Sequence, residues 1–343
     1  MSVLSAKAIR VVGALAVVSS SMAAATTQTA TSRSVNAAKT FLSTLDENQR
    51  KSVLFAFNDE KQRARWSNLP TSFVHRGGVS LKEMNTAQRA AALALVASAL
   101  SARGFEKVQQ IMEGDEVNKI NEGNNPIFGK DLYYISILGK PSEKDPWMLQ
   151  FGGHHLALNI TIAGERGVLT PTLTGAQPAL YTSNGKTVRP LGEESDKALA
   201  LLNALDEGQR KQGILSFRLA DLVLGPGQDG KTILPEGLKA SAMNERQRAM
   251  LLDLMSEWAS IIHESAAAAH MAELKADIDE TWFAWSGPTT AAPGRNITAY
   301  YRIQGPHVVV EYAPQRLGGD PSMHVHTMYR DPTNDYGRRF TAK

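Results

Sequence analysis

Apolar positions recur at helical spacing early in the chain: Leu42, Leu45, Val53, Leu54 and Phe57 form one stripe, with Asp46 and Glu47 supplying an acidic turn beside it. The Ala/Leu-rich stretch 86–103 predicts a second helix, which Gly104 is expected to close. Further on the period falls to two. Strands are predicted over 132–138 and 147–162, separated by Gly139-Lys140-Pro141. The pattern then returns to helical spacing over 245–274, as one long helix or two in line. Strands follow at 281–285, 297–303 and 307–312. Runs of helices followed by runs of antiparallel strands predict an α+β fold rather than a parallel doubly wound sheet.

The chain also repeats itself. The segment 41–51 matches 201–211 at seven of eleven positions, sharing Leu-Asp-Glu-x-Gln-Arg-Lys. Met84-Asn85-x-x-Gln88-Arg89-Ala90 matches Met243-Asn244-x-x-Gln247-Arg248-Ala249, and Gly153-His154-His155 sits against Gly305-Pro306-His307. A last, weaker pairing sets Thr170 and Thr172 against His324 and His326. Collinear matches at near-constant spacing predict an internal duplication. The expected halves are 35–190 and 191–343, each with helices first and an antiparallel sheet after, packed about a pseudo-twofold axis into one unit.

Residues 1–25 carry Lys7 and Arg10, then an apolar run from Val11 to Val18, then small residues ending in Ala23-Ala24-Ala25. This is the layout of an export signal, too short in its apolar part to span a bilayer. A polar linker is expected over 26–34, and the mature chain is expected in the periplasm or outside the cell. The formal charge is +3, and loss of Lys7 and Arg10 leaves +1. That excess is too small and too evenly spread to mark nucleic acid, or a membrane surface after signal removal, as a partner. With no cysteine, disulfides, thiolate metal sites and thiol nucleophiles are excluded.

Histidine carries the candidate chemistry. Strand alternation puts His154 with Leu156 and Leu158 on an apolar face, and His155 with Ala157 and Asn159 on a face that can line a polar cavity. His324-Val325-His326 places two imidazoles on one strand face, about 7 Å apart along the strand. With His155 and His307 they form the expected metal ligands, and the set suits copper, zinc, iron or manganese. Glu311 and Arg330 are the candidate catalytic groups; His154, Asn159, Tyr329 and Asp335 are candidates to touch substrate. Metal binding is the preferred reading of these residues, a metal-free polar network the alternative, and Met328 suits packing better than ligation.

Trp66-x-Asn68-Leu69-Pro70, Phe151-Gly152-Gly153-His154-His155, Thr281-Trp282-Phe283-Ala284-Trp285 and the run from His324 to Gly337 resemble the family of secreted proteins with "domain of unknown function 3500". The resemblance spans nearly the whole mature chain. It implies one two-lobed unit and points to the same histidine-bearing strands, but names no reaction. Two function classes stay open: an exported metalloenzyme acting on a small or oligomeric substrate, and a non-catalytic exported binding protein using the cleft between the halves. For the enzyme, oxidation is slightly favoured over hydrolysis, because the imidazoles with Met328 and nearby tyrosines tolerate copper.

Overall fold

The computed structural model describes residues 29–317 and 319–341. The expected signal over 1–25 lies outside the described residues. The expected linker does not reach residue 34, because α1 (Ala30–Thr44) begins inside it, capped by the Thr29 hydroxyl. Its polar residues are used inward: buried Ser34 donates to the Ser98 carbonyl and Thr31 to that of Gly164. Polar composition resembled a linker because these hydroxyls satisfy backbone acceptors rather than water.

Along the chain follow α2 (Glu47–Val53), β1 (Leu54–Phe55), α3 (Glu60–Arg63), β2 (Val79–Ser80), α4 (Thr86–Ala99) and α5 (Ala102–Asn121). Then come β3 (Tyr134–Leu138), β4 (Trp147–Gly153), β5 (Leu156–Ala163), β6 (Arg166–Val168) and β7 (Thr172–Ala176). A small hairpin, β8 (Tyr181–Ser183) with β9 (Lys186–Val188), leads into α6 (Gly192–Ala204), α7 (Glu207–Gly213), β10 (Leu238–Lys239), α8 (Glu245–Ala259) and α9 (Glu264–Ala276). The chain ends on β11 (Trp282–Ser286), β12 (Tyr300–Gly305), β13 (Val308–Pro314) and β14 (Val325–Arg330). The fold is α+β.

Two expected elements differ in detail. The strand over 147–162 is a hairpin, with His154-His155 as its two-residue turn. Gly104 does not close a helix. The chain turns at Leu100-Ser101, Ser101 caps α5, and Gly104 lies in its first turn, where a Cβ would stand 2.2 Å from the Ile261 carbonyl oxygen. That glycine permits the α4–α5 corner to touch the chain between α8 and α9, where Leu100 and Ile262 form an antiparallel bridge.

The shared sequence segments are helix starts. Asp46 and Gln49 cap α2 reciprocally, as Asp206 and Gln209 cap α7; Asn85 with Gln88 and Asn244 with Gln247 do the same for α4 and α8. The glutamines then bond to each other, Gln49 with Gln88 and Gln209 with Gln247. Gln88 and Gln247 also donate to the carbonyls that end α1 and α6, at Thr44 and Ala204. Each such motif ties three helices together.

One sheet runs β1-β3-β4-β5-β7-β14-β13-β12-β11-β10, with β2 beside β3 and β6 beside β5. Its centre is the antiparallel β7–β14 pair, in register at Thr174 and Thr327. One face is apolar and covered by helices. Ile135, Leu149, Phe151, Leu158 and Ile160 pack with α1, α4 and α5, while Phe283, Trp285, Tyr301, Val310 and Tyr329 pack with α6 and α8. Each fully buried aliphatic side chain there contributes roughly 1.5–3 kcal/mol. The other face bears polar groups around a small apolar cluster of Trp66, Ala157, Leu173 and Met328, and irregular chain covers it. The C-terminal turn folds back as well, where Tyr336 accepts a hydrogen bond from the Trp66 indole at 2.8 Å.

Candidate metal centre

His324 immediately precedes β14 and His326 lies near its start, and their alternation in extended backbone points both rings to the helix-free face. His155 comes from the β4–β5 turn and meets them. Its φ of 60° is left-handed, a conformation that costs a non-glycine residue about 1–2 kcal/mol and has to be held by its surroundings. The three Nε2 atoms form a nearly equilateral triangle: 3.0 Å from His155 to His324, 3.1 Å from His155 to His326, and 3.1 Å from His324 to His326. All three residues are buried.

The outer ring nitrogens fix which atoms face inward. His324 Nδ1 donates to the Leu317 carbonyl at 2.8 Å, which leaves Nε2 as a lone pair. His326 Nδ1 lies 3.6 Å from the Asp221 carboxylate, which favours a proton on that nitrogen, and 3.4 Å from the Asn68 side-chain amide nitrogen, a donor that favours a lone pair there. Burial, reinforced by the neighbouring imidazoles, holds His155 well below the ordinary histidine range and His324 down at about 4. Burial also lowers His326, against the pull of Asp221. At neutral pH the rings are uncharged, and wherever two of the facing Nε2 atoms are unprotonated their lone pairs repel across about 3 Å. A shared proton from His155, or a cation, relieves that repulsion.

A cation fits. A triangle with these edges has a point roughly 2 Å from each corner, the zinc–imidazole distance. Such an ion would be capped on one side by three nitrogens. No fourth histidine or carboxylate joins the cluster among the described residues. Asp221, itself bonded to Gln315 and the Leu222 amide, sits behind His326 rather than beside its inner nitrogen.

The family model described as Protein of unknown function (DUF3500) matches residues 27–338. The chain belongs to the DUF3500 family. No curated protein and no solved structure matches it.

The other candidate residues of this DUF3500 chain lie elsewhere. His307, expected as a fourth ligand, is on the β12–β13 turn, where its Nδ1 meets Thr333 Oγ1 at 2.9 Å and its Nε2 is 3.5 Å from Asp277. A turn position matching that of His155 was not enough, since no strand brings a partner histidine to it. Glu311 shares the face of His326, but its carboxylate accepts the Val223 and Leu224 amides and the Tyr300 hydroxyl, at 2.7–2.8 Å. It anchors the covering loop. Arg330 does the same through the Leu224 and Gly225 carbonyls, with Asp229 and Asp335 as counter-ions at 2.9 Å. Burial pushes the Asp335 carboxyl up to about 6. Along β14, Met328 stands between His326 and Arg330 and packs on Trp66 and Leu173, so an apolar plug separates this network from the histidines.

Asn159 is spent on Gln150 and the Pro171 carbonyl. Tyr329 points to the helix side. His154 lies behind the trio: its ring stacks on that of His155 with centroids 3.7 Å apart, and its Nδ1 meets Asp115 on α5 at 2.6 Å. It positions His155 rather than reaching substrate. Asp221 and Gly175 are site residues that the sequence did not single out. Asp221 sits in an aperiodic loop, and the part played by Gly175 depends on the pairing of β7 with β14, strands distant in the sequence.

Proposed function

We propose that this protein is a metal-dependent enzyme whose ion is held by His155, His324 and His326, and that it works outside the cytoplasm. The triangle of Nε2 atoms carries this reading, because three imidazoles joined by no further histidine or carboxylate among the described residues leave coordination positions for water and substrate. Closed storage or structural sites use four protein ligands, whereas catalytic zinc commonly keeps three. The donor set favours zinc. Met328 is consumed by packing and the tyrosines do not reach the trio, which removes the ground for preferring copper; the carboxylate expected in a two-histidine iron site is not among the inner groups. Zinc supplies an acidified water and a polarising charge, so hydrolysis takes precedence over oxidation. Asp221 would hold the His326 tautomer and raise its basicity. Export rests on the charged, apolar and small-residue segments of the first 25 residues.

We also infer that the chain arose by duplication. The paired glutamine motifs at the helix starts and the mirrored strand order on either side of β7–β14 support it. On this view the ladders equate Thr172, opposite Leu158, with Tyr329, opposite Val310, rather than with His326. The histidine pair on β14 is then an addition of the second half, completed by His155 of the first.

Cobalt(II) substitution tests the open position. Visible bands that shift on adding acetate or azide support a catalytic centre, while bands indifferent to every added anion would mean a closed site.

A further inference from the structure

On the opposite, helix-covered side of the sheet, a cavity of about 240 Å³ lies between α9, β6 and the C-terminal turn. Its floor is apolar, built from Leu169, Ile262 and Ala266. Tyr329 lines it and is only 2% exposed, yet its hydroxyl has no hydrogen-bond partner among the described residues. A buried hydroxyl left unpaired is costly, so one facing a cavity marks a place where a ligand group bonds.

A second unpaired atom lines the same space. His270 Nε2 is buried without a partner among the described residues, and its ring lies 6.1 Å from that of Tyr329. The other ring nitrogen, Nδ1, is 3.2 Å from the Glu273 carboxylate. A carboxylate only accepts, so the proton sits on Nδ1 and Nε2 presents a lone pair. Burial, with Asp331, Asp335 and Glu273 nearby, raises the Tyr329 phenol well above its ordinary range and keeps it a donor. The cavity thus offers one donor and one acceptor over a hydrocarbon floor. Its charged groups balance: Arg339 pairs with Glu273 at 3.2 Å, Arg166 stacks over Phe340, and Glu165 completes two charges of each sign.

We infer that this cavity is a binding site for a small uncharged molecule with a hydrocarbon body and a single hydroxyl group, an alcohol or phenol, whose oxygen accepts from Tyr329 and donates to His270. The pattern is that of small-molecule sites in general, apolar walls with a few convergent polar groups. It stands independently of the histidine trio, since Tyr329 and His326 leave β14 on opposite faces.

Calorimetric titration of the full chain with 4-propylphenol tests the inference, with propylbenzene as the probe lacking the hydroxyl. The phenol is expected to bind one-to-one with a Kd below about 1 mM. Propylbenzene on the wild type, and the phenol on Tyr329→Phe, are each expected to bind about three- to tenfold more weakly. Ala269→Phe, at an exposed position on the cavity wall, is expected to block the phenol. Tyr329→Phe removes an unpaired group, so an unchanged thermal midpoint certifies its fold. No binding by the wild type, equal binding of both probes, equal binding by Tyr329→Phe, or undiminished binding by Ala269→Phe would each overturn the assignment.

Discussion

Gly175 faces His326 directly across the β7–β14 ladder, and the space a side chain would need there is taken by the ring of His155. A Cβ on Gly175 would lie 3.1 Å from His155 Cδ2 and 2.9 Å from the Val325 carbonyl oxygen. The trio can close because one strand omits a side chain opposite the other strand's histidine. Gly175→Ala is therefore expected to push His155 out of line, weakening zinc binding by about ten- to a hundredfold, the scale seen when a ligand's support is disturbed. Overpacking should cost about 1–3 kcal/mol, leaving a folded protein. Competition with a chromophoric chelator measures the affinity, and chemical denaturation measures the stability.

Asp221 is half-exposed and holds no element in place, so its loss should be felt at the metal rather than in the fold. Asp221→Asn keeps the shape and removes the charge behind His326. Zinc affinity is expected to fall about tenfold or more, with stability within about 0.5 kcal/mol of wild type. Equal affinity in the two proteins would remove Asp221 from the site.

Glu311 presents the reverse case. Its carboxylate takes two backbone amides and a tyrosine hydroxyl, so Glu311→Gln trades charged bonds for neutral ones and cannot receive all three donors as well. A loss of about 1.5–3 kcal/mol is expected, with zinc stoichiometry and affinity unchanged. His307→Ala should change neither. Loss of metal in either variant would return those residues to the centre.

Much of this architecture was legible in the order of residues. Helices before strands and the repeated Asp-Glu-x-Gln and Asn-x-x-Gln segments follow from short-range periodicity and capping, whereas the opposite strand faces expected of His154 and His155 do not hold, because the two form the β4–β5 turn and their rings lie 3.7 Å apart. His324-x-His326 was legible from periodicity, since alternation alone puts both rings on one side. What long-range packing decides was hidden. His307 looked equivalent to His155, yet only the latter adjoins β7 and β14. Glu311, Arg330 and Asp335 looked like chemistry because they lie on or just after the histidine-bearing strands, but Glu311 and Arg330 bond chiefly to backbone atoms of a loop 87–106 positions away, and Arg330 pairs with Asp229 and Asp335. Tyr329 follows His326 by three residues, and that odd spacing sends it through the sheet.

Acid should weaken the metal-free fold through the same histidines. In the unfolded chain each titrates near 6.5, whereas His324 in the fold titrates at about 4 and His155 well below its ordinary value. Between those values the unfolded state binds more protons, so stability rises with pH there. The contribution is complete above about 6.5 and is lost as pH falls toward about 4, amounting to roughly 3 kcal/mol for His324. Asp335, raised to about 6, acts in the opposite sense, stabilising at low pH and losing its contribution as pH rises through about 6. Denaturation in chelator at pH 7 and 4.5, compared between wild type and His324→Gln, isolates the histidine. The wild type is expected to lose more stability on acidification, and parallel losses would contradict the assignment.

The most direct measurement is the metal content of the protein, purified without a histidine tag, alongside the His324→Ala, His326→Ala double variant. Close to one equivalent of a transition metal, zinc first, is expected in the wild type, and almost none in a double variant that still unfolds cooperatively. A wild type that carries no metal and shows no thermal shift with zinc, copper, iron or manganese would contradict the proposed metal centre. So would a double variant that retains a full equivalent.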